Sequence, residues 1–422
     1  MARKMKDSGI EWIGEIPEGW SKNKVIRLFD IIGSGTTPKN ITSDFPVVNW
    51  IQSGDITGSF MPTCKNVISA NLLSQYSALK VYPAPFIIIA MYGASVGNAS
   101  ISLIDGCVNQ ACCVLSSPSC NLHYAFYVIK SAQSYLVRKA VGGGQPNISQ
   151  ETIKQLWLPL PPLSTQDIIV RNLDATCSKI DDLLSSVHAS IEEYKKLKQA
   201  VITLAVTKGV RGEREMKDSG VEWIGEIPKE WDILDLVAHT SMLTPMRDRP
   251  ENLDGPIPWI RIEDFDGKYI SSSKASLGVS KETVRSMNLK IYPVGTILCT
   301  SSCIMGKCAI VSRELVSNQR FIGIIPDQNT CENFLYYLML SNSERMNYLA
   351  TGALQANLSR SSFEHLKVQF PSYQEQKEIS DYLDTKCAEI DKLIAKKEQL
   401  VKELESYKKS LIYEVVTGKR EV

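Results

Sequence analysis

The chain has 422 residues, 44% of them hydrophobic, with 47 Lys and Arg against 46 Asp and Glu and a formal net charge of +1. That length calls for more than one domain, and the charge balance excludes a strongly polybasic nucleic-acid binder. No apolar run is long enough to span a bilayer, and Met1-Ala2-Arg3-Lys4-Met5-Lys6 leads into polar residues, so a soluble cytoplasmic protein is expected.

The amino end opens a repeat. Residues 5–20 match residues 216–231 at 13 of 16 positions, which marks an internal duplication. Six of the seven tryptophans pair through it: Trp12 with Trp223, Trp20 with Trp231 and Trp50 with Trp259. Aromatics at matched places are expected in the cores of two related bodies rather than on a stacking surface. Further landmarks recur in order. Trp50-Ile51 with Asp55 answers Trp259-Ile260 with Asp264, and Tyr82-Pro83 answers Tyr292-Pro293. Phe86 to Ala90 and Thr296 to Thr300 are short β-branched runs that read as buried strands. Asn109-Gln110 matches Asn318-Gln319, and helices are predicted over 123–137 and 333–349, followed by loops at Gly142-Gly143-Gly144 and Thr351-Gly352. Each copy is therefore a mixed α/β (α+β) body of ordinary domain size.

Leu158-Pro159-Leu160-Pro161-Pro162 stops the first body. Ser164 with Asp167 then gives a capping-box pattern, and Gly209 is the next stop residue. Between them the apolar positions Leu173, Cys177, Ile180, Leu184, Val187, Ile191, Tyr194 and Val201 follow heptad spacing, interrupted at Lys198. The pattern returns from Ser372 to Gly418, with a seam at Leu383, Cys387, Ile390, Ile394 (or Leu393), Leu400, Leu404, Tyr407 and Leu411, interrupted at Lys397. Leu173-Asp174, Cys177 and Ile180-Asp181 recur 210 residues later as Leu383-Asp384, Cys387 and Ile390-Asp391. The organisation is body 1–163, long helix 164–209, body 210–371, long helix 372–418. A lone helix cannot bury such a seam, so the two are expected to form an antiparallel coiled coil related by an approximate two-fold.

Catalytic motifs are not evident. Gly306-Lys307-Cys308 lacks the earlier glycine and the Ser or Thr of a phosphate-binding loop, and Asp327 with Glu332 lacks the lysine of a nuclease site. The four histidines are scattered, no Asn-Pro-Pro-aromatic run occurs, and Gly142-Gly143-Gly144 leads into a loop. Eleven cysteines form no Cys-x-x-Cys pair, and Cys299, Cys303 and Cys308 have spacings foreign to zinc. Reduced, buried thiols are expected, with no catalytic or metal residue and no cofactor in this chain. A binding protein is favoured over an enzyme.

In order and doubled, these marks resemble the specificity (S) subunit of Type I restriction–modification systems. The residues that carry the resemblance are the repeated Ile-Pro-x-x-Trp lead-in, Gly35-Thr36-Thr37-Pro38, the Trp-Ile…Asp strand, the Asn-Gln pair and the run from Leu158 to Gln166. That run has a weaker twin from Val368 to Gln376. The second copy has no clear Gly-x-Thr-Pro, and Thr244-Pro245 stands nearest. The resemblance implies two target-recognition domains that each read one half of a bipartite, asymmetric sequence in double-stranded DNA. It further implies helices that set the spacing and dock two methyltransferase subunits, and restriction (translocase) subunits that join them. S-adenosylmethionine, ATP and Mg²⁺ then belong to those partners. DNA-reading candidates are polar loop residues: Ser34, Thr36, Thr37, Lys39, Tyr92 and Ser95 in the first body, Arg247, Arg249, Arg261, Ser301 and Ser302 in the second. Two alternatives stay open. A single-chain restriction or modification enzyme would show nuclease or methyl transfer by itself, and a two-headed scaffold for non-DNA ligands would show no DNA binding.

Overall fold

The computed structural model describes residues 3–39, 41–142, 144–245, 249–302, 306–350 and 358–422. It divides into two compact units, Met1–Val187 with Gln399–Val422, and His188–Glu398. The cut falls within both long helices, Leu163–Lys208 and Tyr373–Val416, rather than at their starts. Each half-helix buries its apolar face in the unit that owns it.

In the first unit a five-stranded sheet runs in the order Ile31–Gly33, Cys112–Ser116, Phe86–Ala90, Ala99–Ser102, Phe60–Met61. The strand Phe86–Ala90 is buried on both faces. Ile87 and Ile89 join the large core under helix Leu122–Ser131, while Phe86, Ile88 and Ala90 join a second core with Tyr82 and Val114. Alternation places successive side chains on opposite faces, which is why a strand covered on both sides reads as one apolar run. A three-stranded sheet, Cys107–Val108, Val47–Ile51, Val67–Ser69, stands beside it.

The second unit repeats both sheets. Its five strands are Thr240–Leu243, Phe321–Pro326, Ile297–Thr300, Cys308–Val311 and Tyr269–Ile270, and its three are Gly278–Val279, Ile257–Ile260 and Val316–Ser317. The helices expected over 123–137 and 333–349 are each split, into Leu122–Ser131 with Gln133–Arg138 and Glu332–Ser341 with Ser343–Leu349. At the second break the Asn342 amide donates to the Leu338 carbonyl at 2.8 Å, competing with the helical ladder. Trp20, Trp50, Trp231 and Trp259 are core residues, whereas Trp223 is exposed and packs under the Arg345 guanidinium. The ten described cysteines form no disulfide, and burial pushes the Cys107 thiol up to about 11. Cys303 and the Thr351-Gly352 loop lie outside the described residues.

The first long helix begins one residue before the expected Ser164 cap, with the Thr165 and Gln166 amides donating to the Pro162 carbonyl. Gln166 and Gln376, which close the repeated proline-rich runs, are buried and donate to the Pro161 and Pro371 carbonyls at 2.9 and 3.0 Å. The helices end at Lys208 and Val416, and Gly209 and Gly418 just beyond them each have φ in the left-handed region that glycine tolerates. A Cβ on Gly209 would also strike the Arg214 guanidinium, which caps the helix by donating to the Lys208 carbonyl at 3.0 Å.

Within each unit the helix halves run antiparallel. In the first, Tyr124 Oη donates to the Pro159 carbonyl at 2.9 Å with the Val416 carbonyl 3.2 Å away, and Lys408 Nζ pairs with Asp181 at 2.6 Å. In the second, Gln369 Nε2 donates to the Val206 carbonyl at 2.7 Å and Lys198 Nζ pairs with Asp391 at 2.6 Å. Leu173, Cys177, Ile180, Ile191, Leu383, Cys387, Ile390 and Leu411 are buried, and Leu184, Val187, Tyr194, Val201, Ile394 and Leu404 are half-buried. Leu400 and Tyr407 are not seam residues; they are 41% and 46% exposed. Steps of three and four from Ile394 reach Lys397, Val401, Leu404, Lys408 and Leu411, so Leu400 and Tyr407 sit about 100° off the seam. The lysines do not interrupt it. Their stems pack in line while the ammoniums find partners: Asp391 for Lys198, Asp181 for Lys408 and the Tyr194 ring for Lys397.

Candidate nucleic-acid interface

In the second unit three arginines meet over one strand junction. Ile257–Ile260 and Val316–Ser317 run parallel, Trp259 beside Val316, and the chain leaves both at the same edge. Arg261 follows the first strand, and Asn318, Gln319 and Arg320 follow the second. Asp264 pins the first exit. Its buried carboxylate accepts from the Arg261 and Lys274 amides at 2.7 and 2.8 Å and from Ser273 Oγ at 3.2 Å. Asn318 pins the second: its amide nitrogen donates to the Ile260 carbonyl at 3.3 Å and its Oδ1 accepts from the Arg320 amide at 3.0 Å. The side chains of Arg249, Arg261, Glu263, Gln319 and Arg320 then line a concavity of about 320 Å³, floored by Trp259 and Leu277. Its lining holds three arginines and one carboxylate, Glu263, whose Oε1 lies 3.1 Å from Arg261 Nη1. Such a surface is electropositive and presents planar donor forks.

The first unit builds the same frame with other tips. Trp50-Ile51 runs parallel to Cys107-Val108. Asp55 accepts from the Gln52 amide at 2.9 Å and the Lys65 amide at 3.3 Å, and Asn109 Oδ1 accepts from the Ala111 amide at 3.1 Å. Gln52 stands where the second unit has Arg261, and Ala111 where it has Arg320. The Gly35–Lys39 loop crosses this junction. A Cβ on Gly35 would lie 1.6 Å from the Val108 carbonyl oxygen, so only glycine lets the loop lie against that strand. Thr37 Oγ1 then donates to Gln110 Oε1 at 2.6 Å, and the Lys39 amide donates to Tyr76 Oη at 3.2 Å.

The structure thus places Thr37 against Gln110 and Lys39 against Tyr76, with Thr36 in the same loop, and brings Arg249 together with Arg261. Ser34 has a scaffold role: its Oγ donates to the Cys112 carbonyl at 2.7 Å and its carbonyl accepts from Tyr82 Oη at 2.9 Å. Tyr92 and Ser95 occupy a separate turn, where Gly93 pairs with the Pro146 carbonyl. Ser302 is buried and so presents no hydroxyl to a base edge, while the Ser301 amide donates to the Arg320 carbonyl at 2.9 Å. Arg247 lies outside the described residues. Arg320, Gln319, Gln52 and Gln110 are site residues that the sequence reading did not single out. Their signal was the matched Asn-Gln pair, whose Asn holds the turn and whose Gln is exposed in both copies.

The family model for the Type I restriction modification DNA specificity domain matches residues 17–193 and again 229–403. This chain belongs to that family of Type I restriction–modification specificity subunits. Among its relatives, the MjaIX specificity subunit of Methanocaldococcus jannaschii is 34% identical over 179 residues, 41% of each chain. The putative MjaX specificity subunit of the same organism is 25% identical over 96% of this chain and 95% of its own. The EcoBI specificity subunit of Escherichia coli is 22% identical over 81% of this chain and 75% of its own. The fold is shared with a chain of a solved type I R-M system studied for complex assembly and conformational transition. That match has a TM-score of 0.74 and 13% identity, over 95% of this chain and 98% of that one. The HsdS subunit of Thermoanaerobacter tengcongensis aligns with a TM-score of 0.51 and 14% identity, over 96% and 98%.

Proposed function

We infer that this chain reads a bipartite, asymmetric DNA sequence, one half with each α/β body, and itself performs no catalysis. The observation that carries the reading is one backbone frame with two sets of tips. Asp55 and Asp264, and Asn109 and Asn318, hold the same turns, while Gln52 and Ala111 are replaced by Arg261 and Arg320. A scaffold kept constant with exposed polar tips varied suits two different half-sites, because base edges are read by side chains and register by the frame.

The long helices, 46 and 44 residues, serve as spacer and as the surface for two methyltransferase subunits, and restriction subunits join that assembly. Methyl transfer, with its S-adenosylmethionine, and ATP- and Mg²⁺-dependent cleavage belong to those partners. A net charge of +1 supports a phosphate grip shared with them. Among the described residues no helix is long and apolar enough to cross a membrane, and the reading places the protein in the cytoplasm with its DNA.

Titration of duplex DNA with the chain and a methyltransferase partner, at salt concentrations from about 50 to 200 mM, tests this. Affinity should fall steeply with salt and one sequence should be preferred. Absence of DNA binding with the partner present would favour a scaffold for other ligands, and methyl transfer by the chain alone would favour a single-chain enzyme.

A further inference from the structure

The two units differ, within their shared frame, in the property that decides which base edge a side chain can meet. A guanidinium only donates, whereas a side-chain amide both donates and accepts. In the major groove guanine offers two acceptors, O6 and N7, while adenine offers the N7 acceptor beside the N6 donor. Arg261 and Arg320 stand where the first unit has Gln52 and Ala111, and Glu263 stands where it has Gly54.

We propose that Arg261 and Arg320, with Arg249 at the rim, form a guanine-reading cleft that fixes at least one G·C pair in the second unit's half of the target. The proposal rests on the DNA-reading function above and adds the base class and the residues. Arg320 is anchored at its backbone on both sides, by Asn318 Oδ1 to its amide at 3.0 Å and by the Ser301 amide to its carbonyl at 2.9 Å, and its side chain is exposed. Arg261 is held at its amide by Asp264 and at Nη1 by Glu263, and its Nε is buried with no hydrogen bond among the described residues. The backbone of each arginine is thus held, and the Arg261 guanidinium is held in addition by Glu263. Glu263 is a positioning residue that orients the Arg261 fork. The first unit presents Gln52 and the Gln110 amide, whose oxygen is set by Thr37, and these match an adenine edge instead.

A phosphate grip by the same arginines is the competing account. It would weaken binding on every duplex alike, whereas a guanine reader is sensitive at one pair. The test uses the complex of chain and methyltransferase, with target duplexes in which 7-deazaguanine replaces each guanine in turn. That base keeps its pairing and O6 but lacks the N7 acceptor. For the natural chain, one or more replacements in the second half-site should lower affinity roughly 10- to 100-fold. Arg320→Ala or Arg261→Gln should lose that sensitivity, with replacements in the first half-site unaffected.

Two results would overturn the cleft while leaving sequence reading intact. One is that no replacement in the second half-site weakens the natural complex. The other is that both variants keep full sensitivity, or lose affinity equally for target and unrelated duplexes. Failure of the underlying function looks different: the natural complex binds target and scrambled duplexes equally. Arg320 is exposed and Arg261 half-buried, and an unchanged thermal unfolding of each variant confirms that the comparison is between folded proteins.

Discussion

Asp384 collects two donors in the second unit, the Tyr337 hydroxyl at 2.6 Å and the Lys268 ammonium. Its counterpart Asp174 takes Tyr127 Oη at 2.6 Å, and seven residues on in each helix Asp181 and Asp391 take Lys408 and Lys198. The doubled Leu-Asp…Cys…Ile-Asp pattern is thereby explained residue by residue: one aspartate ties the helix to its body, the other to the opposite helix. Burial, with the Asp384 carboxylate beside it, pushes the Tyr337 hydroxyl far above its ordinary value, so it remains a donor. Tyr337→Phe should lower the stability of the second unit by about 1–2 kcal/mol, because Asp384 keeps Lys268. Asp384→Ala should cost more, since two donors are stranded. Hydrogen exchange over helix Glu332–Ser341 reads this locally. Unchanged protection in Tyr337→Phe would mean that the hydroxyl bond contributes nothing. Such pairings are not visible in a residue pattern, because Tyr337 and Asp384 lie 47 residues apart.

At the scale of elements, the seam shows where sequence periodicity carries and where it misleads. Heptad spacing and the stops at Gly209 and Gly418 were legible, since helix phase and a left-handed backbone position each demand particular residue types. Leu400 and Tyr407 are apolar but one residue out of phase, so their character alone does not bring them into the seam. Lys408 belongs in the seam by phase, and its charge is met by Asp181 across the helix pair. The arginine cleft was half legible for a similar reason. Arg261 follows a strand with a clear landmark, but Arg320 reaches it only through parallel pairing of strands 57 residues apart. The proposed spacer role makes a prediction at this scale. Inserting one heptad into each long helix keeps every seam position in phase and adds about 10 Å. That corresponds to about three base-pair steps at 3.4 Å each. The gap between methylated half-sites should lengthen accordingly, as read by sequencing of modified adenines. An unaltered gap with both half-sequences still recognised would remove the helices from spacing control.

For the whole molecule, duplication of a body and a helix within one chain gives two copies of one frame that diverge at their tips. On the proposed function, the two independently varied bodies should specify an asymmetric target, and neither half should be read by the other unit. The carboxyl end closes back on the first unit, with Tyr413 Oη donating to the Ile13 carbonyl at 3.2 Å and Lys419 Nζ to the same carbonyl at 2.8 Å. The most direct test is to express the chain with a methyltransferase subunit in a host lacking other adenine methylation and to sequence modified adenines genome-wide. One motif made of two dissimilar half-sequences at a fixed separation is expected, absent when either subunit is omitted. A single undivided motif, or the same methylation without this chain, would contradict it.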